Sequence, residues 1–161
     1  MAIKLIDNDS WPAVLKIQAQ AYLSVEPESL TVLKSKWTRS PESCFVYQQG
    51  ENILGYLLAH AWHSEAPPKL FQPLPNEIPA SILFLHDIAV AESALGKGVA
   101  TAMYQHLQQH ALLSAYQQIR LVALQNSAGF WRRLGFVIVD QKISNSYGKE
   151  AFLMQKMLCC L

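Results

Sequence analysis

A glycine-flanked turn, Leu95-Gly96-Lys97-Gly98-Val99-Ala100-Thr101, joins the most strand-like segment of the chain to the most helix-like one. Before it, Ser81 to Val90 is a nearly unbroken apolar run of strand length. After it, from Gly98 to about Leu113, Val99, Met103, Leu107 and Ala111 recur every four residues, with Gln105, Gln108 and Gln109 off the stripe. Gln118 to Leu124 then reads as another strand. The middle of the chain is therefore a strand–helix–strand crossover, which demands a mixed α/β architecture. The turn also carries a chemical implication. Amides at a helix start lack partners within the helix and sit at the positive end of its dipole. Two glycines let an anion approach them closely, and Lys97 adds a full charge.

The flanks add elements of both kinds. Ala2 to Ile6 reads as a short strand; Asp9 or Ser10 caps a helix with Pro12 in its first turn and Trp11, Val14, Leu15 and Tyr22 on one face. A second short helix starts near Ser29 with Leu30, Leu33 and Trp37 inward. Cys44 to Gln48 and Ile53 to Trp62 form a hairpin about Gly50. From 63 to 80, Pro67, Pro68, Pro73, Pro75 and Pro79 exclude regular structure, so this is a long surface loop, and neither flank is a complete domain. Ser127 to Leu134 is a short helix stopped by Gly135, and Phe136 to Val139 and Ala151 to Leu158 are closing strands. A single domain over residues 1–161 is expected.

Charge narrows the function classes. The net charge is +1 in 161 residues, with 16% charged and 51% hydrophobic residues, which argues against disorder and against a broad nucleic-acid surface. Yet no Asp or Glu lies between Glu92 and Asp140, where Lys97, Arg120, Arg132 and Arg133 fall. Such a window of one sign suggests a local anion site. Cys44, Cys159 and Cys160 lack metal or redox spacing and read as reduced thiols of a cytoplasmic protein. The N-terminus has no signal-peptide character and no run spans a membrane.

A P-loop would need Gly-x-x-x-x-Gly-Lys-Ser/Thr, which is absent, and a dinucleotide fold would need a third glycine at Thr101 and a later acid that the acid-free window lacks. A third pattern fits. Leu85-His86-Asp87-Ile88-Ala89-Val90, then Leu95-Gly96-Lys97-Gly98-Val99-Ala100, and later Asn126 to Phe136 with its Leu134-Gly135-Phe136 ending, resemble in order and spacing the motifs of the GNAT superfamily of N-acetyltransferases. Leu85 to Val90 is also similar to the Leu-His-x-Leu-Ala-Val of arylalkylamine N-acetyltransferases, whose second histidine corresponds to Phe84.

This resemblance implies an α+β fold with a mostly antiparallel sheet of about six or seven strands, splayed between the fourth and fifth, and about four helices. It implies acetyl-coenzyme A as cofactor, its pantetheine arm pairing with main-chain groups of Ile88, Ala89 and Val90. The pyrophosphate would sit on amides of Gly96, Lys97, Gly98, Val99, Ala100 and Thr101, with Asn126 and Phe130 against the pantetheine or thiol end. The acceptor would be a small-molecule or peptide amine; family members are often dimers, so a homodimer is a further expectation. Two residues depart from the family pattern: Leu95 replaces Arg or Gln, and Trp131 stands where many members carry a tyrosine proposed to protonate the departing thiolate. Indole is not a usable acid.

An alkylamine must lose a proton before it attacks, at a cost of roughly 4–5 kcal/mol at pH 7. His86 is the candidate base, placed by strand alternation with Ile82, Phe84 and Ile88 on one face. Asp87 falls on the opposite face unless a bulge changes the parity, and is the candidate for binding the ammonium group. Tyr147, in a turn before the last strand, is the candidate acid, and Tyr22 and Trp62 are candidates to line the acceptor pocket. Cys44 has no adjacent base and is not a nucleophile candidate; no metal is implied. The rival to a transferase is a catalytically silent coenzyme A-binding sensor or interaction module, motivated by Leu95 and Trp131.

Overall fold

The computed structural model describes residues 2–23, 26–74, 80–124, 126–148 and 150–158. Pro75 and Pro79 of the Pro-rich segment, and the thiols of Cys159 and Cys160, lie outside the described residues. In chain order the elements are β1 (Ala2–Leu5), α1 (Trp11–Ala21), α2 (Leu30–Arg39), β2 (Cys44–Gln49), β3 (Asn52–Trp62), β4 (Ile82–Val90), α3 (Val99–Leu113), β5 (Gln118–Ala123), α4 (Ala128–Arg133), β6 (Val137–Ile138) and β7 (Phe152–Met157). The seven strands form one sheet in the order β1-β2-β3-β4-β5-β7-β6. Every pairing is antiparallel except β4 with β5, which α3 connects as a crossover. The mixed, mostly antiparallel architecture is the one expected.

Local chemistry explains the helix starts. Asp7 rather than Asp9 begins the first helical turn: its amide donates to Ser10 Oγ at 3.1 Å, and the Ser10 hydroxyl donates back to Asp7 Oδ1 at 2.8 Å. Ser29 caps α2, its Oγ accepting from the Val32 amide at 3.3 Å. On α2, Leu33 is buried as expected, but Lys36 is buried beside it, which a hydrophobic pattern does not reveal.

Two cores lie on opposite faces of the sheet. Met103, Leu107 and Ala111 of α3 pack with Phe45, Leu57, Leu83 and Leu85 on one; Trp11, Val14, Ile17 and Leu33 of α1 and α2 pack with Val46, Tyr56, Leu58 and Ala89 on the other. Helix α3 approaches β3 at Gly55, where a Cβ would lie 2.9 Å from Met103 Cε, 3.1 Å from Val99 Cγ1 and 3.2 Å from the Ala89 carbonyl oxygen. Gly55→Val is therefore expected to destabilise the fold by about 1–3 kcal/mol through overpacking, measured as a lowered urea midpoint; an unchanged midpoint would contradict this contact.

The parity of β4 needs correction. Leu58 pairs with Asp87 and Ala59 with Leu85, so His86 is the extra residue of a β-bulge. Beyond the bulge the faces exchange: Ile88 and Val90 pack toward α3, while Ala89 joins the α1 and α2 core. Ile88 therefore does not share a face with Phe84.

Candidate functional site

Strands β4 and β5 pair only from Ile82 to Leu85 against Gln118 to Leu121. Past that point they separate, and β4 runs on to Val90 with no β5 residue registered against it. A cavity of about 880 Å³ fills the split, walled by Leu85 to Val90 on one side and by Leu121, Val122 and Leu124 on the other. It continues past Leu95, Ala100 and Phe130 at one end and past Tyr22, Glu28 and Tyr147 at the other. A strand edge without a neighbouring strand beside an apolar channel can receive an extended ligand much as it would an added strand.

The glycine turn lies at one end. Gly96 and Gly98 have φ of +74° and +77°, and Gly98 occupies the residue before α3. A Cβ on either would meet nothing within 4 Å, so the space above the turn is open to a ligand. The first bond into the helical ladder runs from the Ala102 amide to the Gly98 carbonyl at 3.0 Å, so the Val99, Ala100 and Thr101 amides precede it. Lys97 is exposed here; Leu95, in place of Arg or Gln, is 62% exposed and contributes no polar group. These residues fit a diphosphate held by main-chain amides. Arg120, counted on sequence with the local positive charge, does not belong to this end. It is buried against the Glu65 carbonyl oxygen at 2.7 Å and the side chains of Gln118 and Gln155.

The other end holds a buried acid–base cluster. His86, turned by the bulge, bonds through Nε2 to Glu28 Oε1, and its side chain is 1% exposed. Its Nδ1 is buried and has no protein partner. Burial works against the Glu28 carboxylate, but the bond and charge of His86 and the nearby Lys36 outweigh it and hold its pKa below the ordinary value. A carboxylate only accepts, so Nε2 carries a proton and the lone pair of the neutral ring lies on Nδ1. Asp87 accepts from Tyr22 at 2.5 Å and from Tyr56 at 2.6 Å. Burial nevertheless raises its pKa, against the opposing effects of His86 and the two hydroxyls. The Tyr22 hydroxyl also lies 2.9 Å from the Ile88 carbonyl oxygen, tying α1 to β4 just past the bulge. His60, its ring tilted 48° to that of His86 with centroids 6.3 Å apart, donates from Nδ1 to the Ala61 carbonyl and is held neutral by burial.

Residues 63–74 of the Pro-rich segment have no regular structure and are largely exposed, and several of their main-chain groups are tied to the rest of the domain. The Tyr147 hydroxyl donates to the Pro68 carbonyl, the Leu70 amide to Ser146 Oγ at 3.3 Å, and the Phe71 amide to Glu28 Oε2 at 2.8 Å. Lys36 Nζ donates to the Gln72 carbonyl at 3.2 Å and the Leu74 amide to Ser35 Oγ at 3.2 Å.

The structure thus gathers His86, Asp87, Ile88, Ala89, Val90, Ala100, Phe130, Tyr22 and Tyr147 around one cavity. Val99 is buried in the core beneath the glycine turn, with Thr101 half-buried beside it. Tyr147 is buried with its proton engaged by Pro68, and burial raises its pKa, so it is not the surface tyrosine of a turn. Trp62 is elsewhere: it packs with Ile82 and Phe84 and donates to the Ala66 carbonyl at 2.7 Å. Asn126 is exposed at φ +65° and outside the cavity wall, because the tight turn into α4 directs it outward. Trp131 fills the position of the family tyrosine as a core residue, edge-on to Tyr104 and Phe136. Cys44 is buried, its thiol pushed up to about 12 by that burial, which leaves it inert. Glu28, Lys36, Tyr56 and His60 are absent from the sequence-based candidates. Glu28 is 58 residues from His86, and nothing local marks it as more than an acid near a helix start. No helix among the described residues is long and apolar enough to cross a membrane.

Comparison with known proteins agrees with this geometry. A sequence comparison with curated proteins gives no match. Among solved structures, the loading GNATL domain of CurA from Lyngbya majuscula superposes with a TM-score of 0.84 at 9% identity, covering 98% of this chain and 97% of that one. The GphF GNAT-like decarboxylase in complex with isobutyryl-CoA gives 0.79 at 12% identity, over 99% and 100% of the two chains. Ard1 from Thermoplasma volcanium gives 0.76 at 19% identity, over 98% and 97%. The profile of the acetyltransferase (GNAT) family matches residues 11–136, well over half of the sequence. With that match and a sheet split at the expected strands, the chain belongs to the GNAT acetyltransferase family.

Proposed function

We propose that this protein is an N-acetyltransferase that moves an acetyl group from acetyl-coenzyme A directly to a primary amine in a ternary complex. The observation that carries this reading is the continuous cavity from Leu95 and Ala100, on either side of the two glycines, along the edge of β4 that β5 leaves unpaired, to the His86 and Asp87 cluster. When bound, the coenzyme supplies the acetyl group as an activated thioester. Main-chain groups of Ile88 to Val90 would hold its extended arm and amides from Gly96 to Thr101 its diphosphate, with Phe130 in the wall of the same cavity. The Ile88 amide would stabilise a carbonyl oxygen on which charge develops, and the Tyr22 bond to the Ile88 carbonyl oxygen keeps that segment in place. His86 would take the amine proton at Nδ1 while Glu28 fixes the tautomer; as the nitrogen–carbonyl bond forms and the carbon–sulfur bond breaks, that proton would pass on to the departing thiolate, giving amide and free thiol.

The test has two parts. Calorimetry should detect acetyl-coenzyme A binding, and free thiol should appear when a panel of amines is added. Binding without thiol release across that panel would favour the second reading, a silent coenzyme A-binding module, which Leu95, Trp131 and the committed proton of Tyr147 motivate. The phosphate end can be probed separately. Gly98→Ala places a Cβ at φ +77°, which costs about 1–2 kcal/mol of stability. Its Cβ also crowds the anion, so coenzyme affinity should fall about tenfold, or roughly 1.4 kcal/mol. Unchanged affinity would remove this turn from the binding site.

A further inference from the structure

We infer that Asp87 is a neutral carboxylic acid in the folded protein and that, by donating its proton to Tyr22, it positions the Ile88 carbonyl on the open edge of β4. The assignment comes from counting protons. Three oxygen–oxygen contacts join these groups: Tyr22 to Asp87 Oδ1 at 2.5 Å, Tyr56 to Asp87 Oδ2 at 2.6 Å, and Tyr22 to the Ile88 carbonyl oxygen at 2.9 Å. Each has the length of a hydrogen bond, so each needs a proton. The two phenols supply two, and a carboxylate or a main-chain carbonyl supplies none. Taken as a carboxylate, Asp87 accepts from both tyrosines and leaves the Ile88 carbonyl facing a hydroxyl oxygen with no proton to give. The third proton can come only from Asp87. Then Asp87 Oδ1 donates to Tyr22, Tyr22 donates to the Ile88 carbonyl, and Tyr56 donates to Asp87 Oδ2. Every contact is satisfied.

The surroundings favour the same state. Asp87 is 7% exposed, and no cation is paired with it among the described residues. The ionisable groups that face it are Tyr22 at the end of α1, Tyr56 on β3, Glu28 from the segment before α2, and His86 beside it on β4. Lys36 of α2 is committed to the Gln72 carbonyl and to the charge of Glu28. His86 and the two hydroxyls favour a charged Asp87; burial, the largest effect, and Glu28 oppose it and prevail. The consequence lies one residue on. Ile88 lines the cavity on the stretch of β4 that has no β5 partner. The chain from Asp87 through Tyr22 therefore holds the peptide group between Ile88 and Ala89 where the coenzyme arm would lie. That positioning role rests on the transferase reading; the proton count does not. Ionisation would undo it, because a carboxylate takes back the Tyr22 proton and the Ile88 carbonyl loses its donor.

Infrared spectroscopy of the intact chain reads the acid directly. At pH 6 wild type should show a carboxylic-acid carbonyl band, above the amide region and shifted in deuterium oxide, that Asp87→Asn lacks. Absence of such a band, or its persistence in Asp87→Asn, would overturn the inference. Positioning is read at the Ile88 carbonyl carbon, labelled with carbon-13 isoleucine and assigned with Ile88→Val. Its resonance should move in Tyr22→Phe and in Asp87→Ala and return toward the wild-type position in Asp87→Asn, whose amide can still donate to Tyr22 and accept from Tyr56. A resonance indifferent to Tyr22→Phe would overturn the positioning role, even if Asp87→Ala fails to fold. Calorimetry adds a functional readout: acetyl-coenzyme A affinity should fall about tenfold in Tyr22→Phe, the loss expected for one hydrogen bond. Equal affinity of Tyr22→Phe and wild type would also overturn that role. Failure of wild type to bind acetyl-coenzyme A would be a different result. It would defeat the transferase reading, while the infrared and carbon signals would still decide the state of Asp87 and its hold on Ile88.

Discussion

His86→Gln is expected to lower acetyl-transfer turnover at neutral pH by about 10²–10⁴-fold, the usual contribution of a positioned base, with coenzyme affinity nearly unchanged. The substitution separates chemistry from packing. A glutamine amide still donates to Glu28, so the contact that seats the residue in the bulge persists. What disappears is the ring nitrogen lone pair at Nδ1, which no protein group occupies. A fall in kcat with an unchanged coenzyme dissociation constant supports the base role. Equal turnover of the two proteins from pH 6 to 9 would remove His86 from the mechanism and leave it as a buried structural histidine.

Glu28→Ala is expected to destabilise the protein by about 1–3 kcal/mol, the cost of leaving buried donors without their acceptor. Three groups lose their partner together: His86 Nε2, the Phe71 amide, and the buried Lys36, whose charge Glu28 offsets. Urea unfolding at pH 7 would measure the loss, and a change below 1 kcal/mol would contradict the cluster. The pH dependence has a defined sign. The folded pKa of Glu28 lies below its ordinary 4.5, so its stabilisation is present above that value and is lost as pH falls through the folded pKa. Wild type should therefore lose stability in acid by a component that Glu28→Ala lacks. Asp87 works in the opposite direction. Its folded pKa is raised above 3.8, so its contribution is full below that value and is lost as pH rises through the raised one. The wild-type minus Glu28→Ala difference cancels the Asp87 effect to first order.

The contrast between two helices shows how far pattern reading reaches. In α3, Val99, Met103, Leu107 and Ala111 recur with a period that only a helix can bury together, and all four are buried. In α2, the same reasoning places Leu33 inside and has no means of placing Lys36 there, because a lysine is buried only when distant groups receive its ammonium. The bulge at His86 is a similar case. Strand alternation assumes an unbroken ladder, and one extra residue moved Ile88 to the α3 face.

The glycine turn was legible because its chemistry is local: two glycines, a helix start and the strand before them are contiguous in the chain, and main-chain amides need no distant partner to be available. The acceptor end was not. Its acid, Glu28, comes from the segment before α2, its histidine from a bulge in β4, and Leu70 in its wall from the Pro-rich segment. Trp62 looked as suitable as Tyr22 by residue type, yet of the two only Tyr22 reaches the cavity, since Trp62 is committed to a neighbouring core. The order of amino acids by itself determined the element sequence, the family and the glycine turn before α3, because each depends on residues within a few positions of one another. Tertiary structure alone decided which acids and bases meet and what walls the acceptor end, because those contacts join residues tens of positions apart and depend on burial that the chain acquires only when folded.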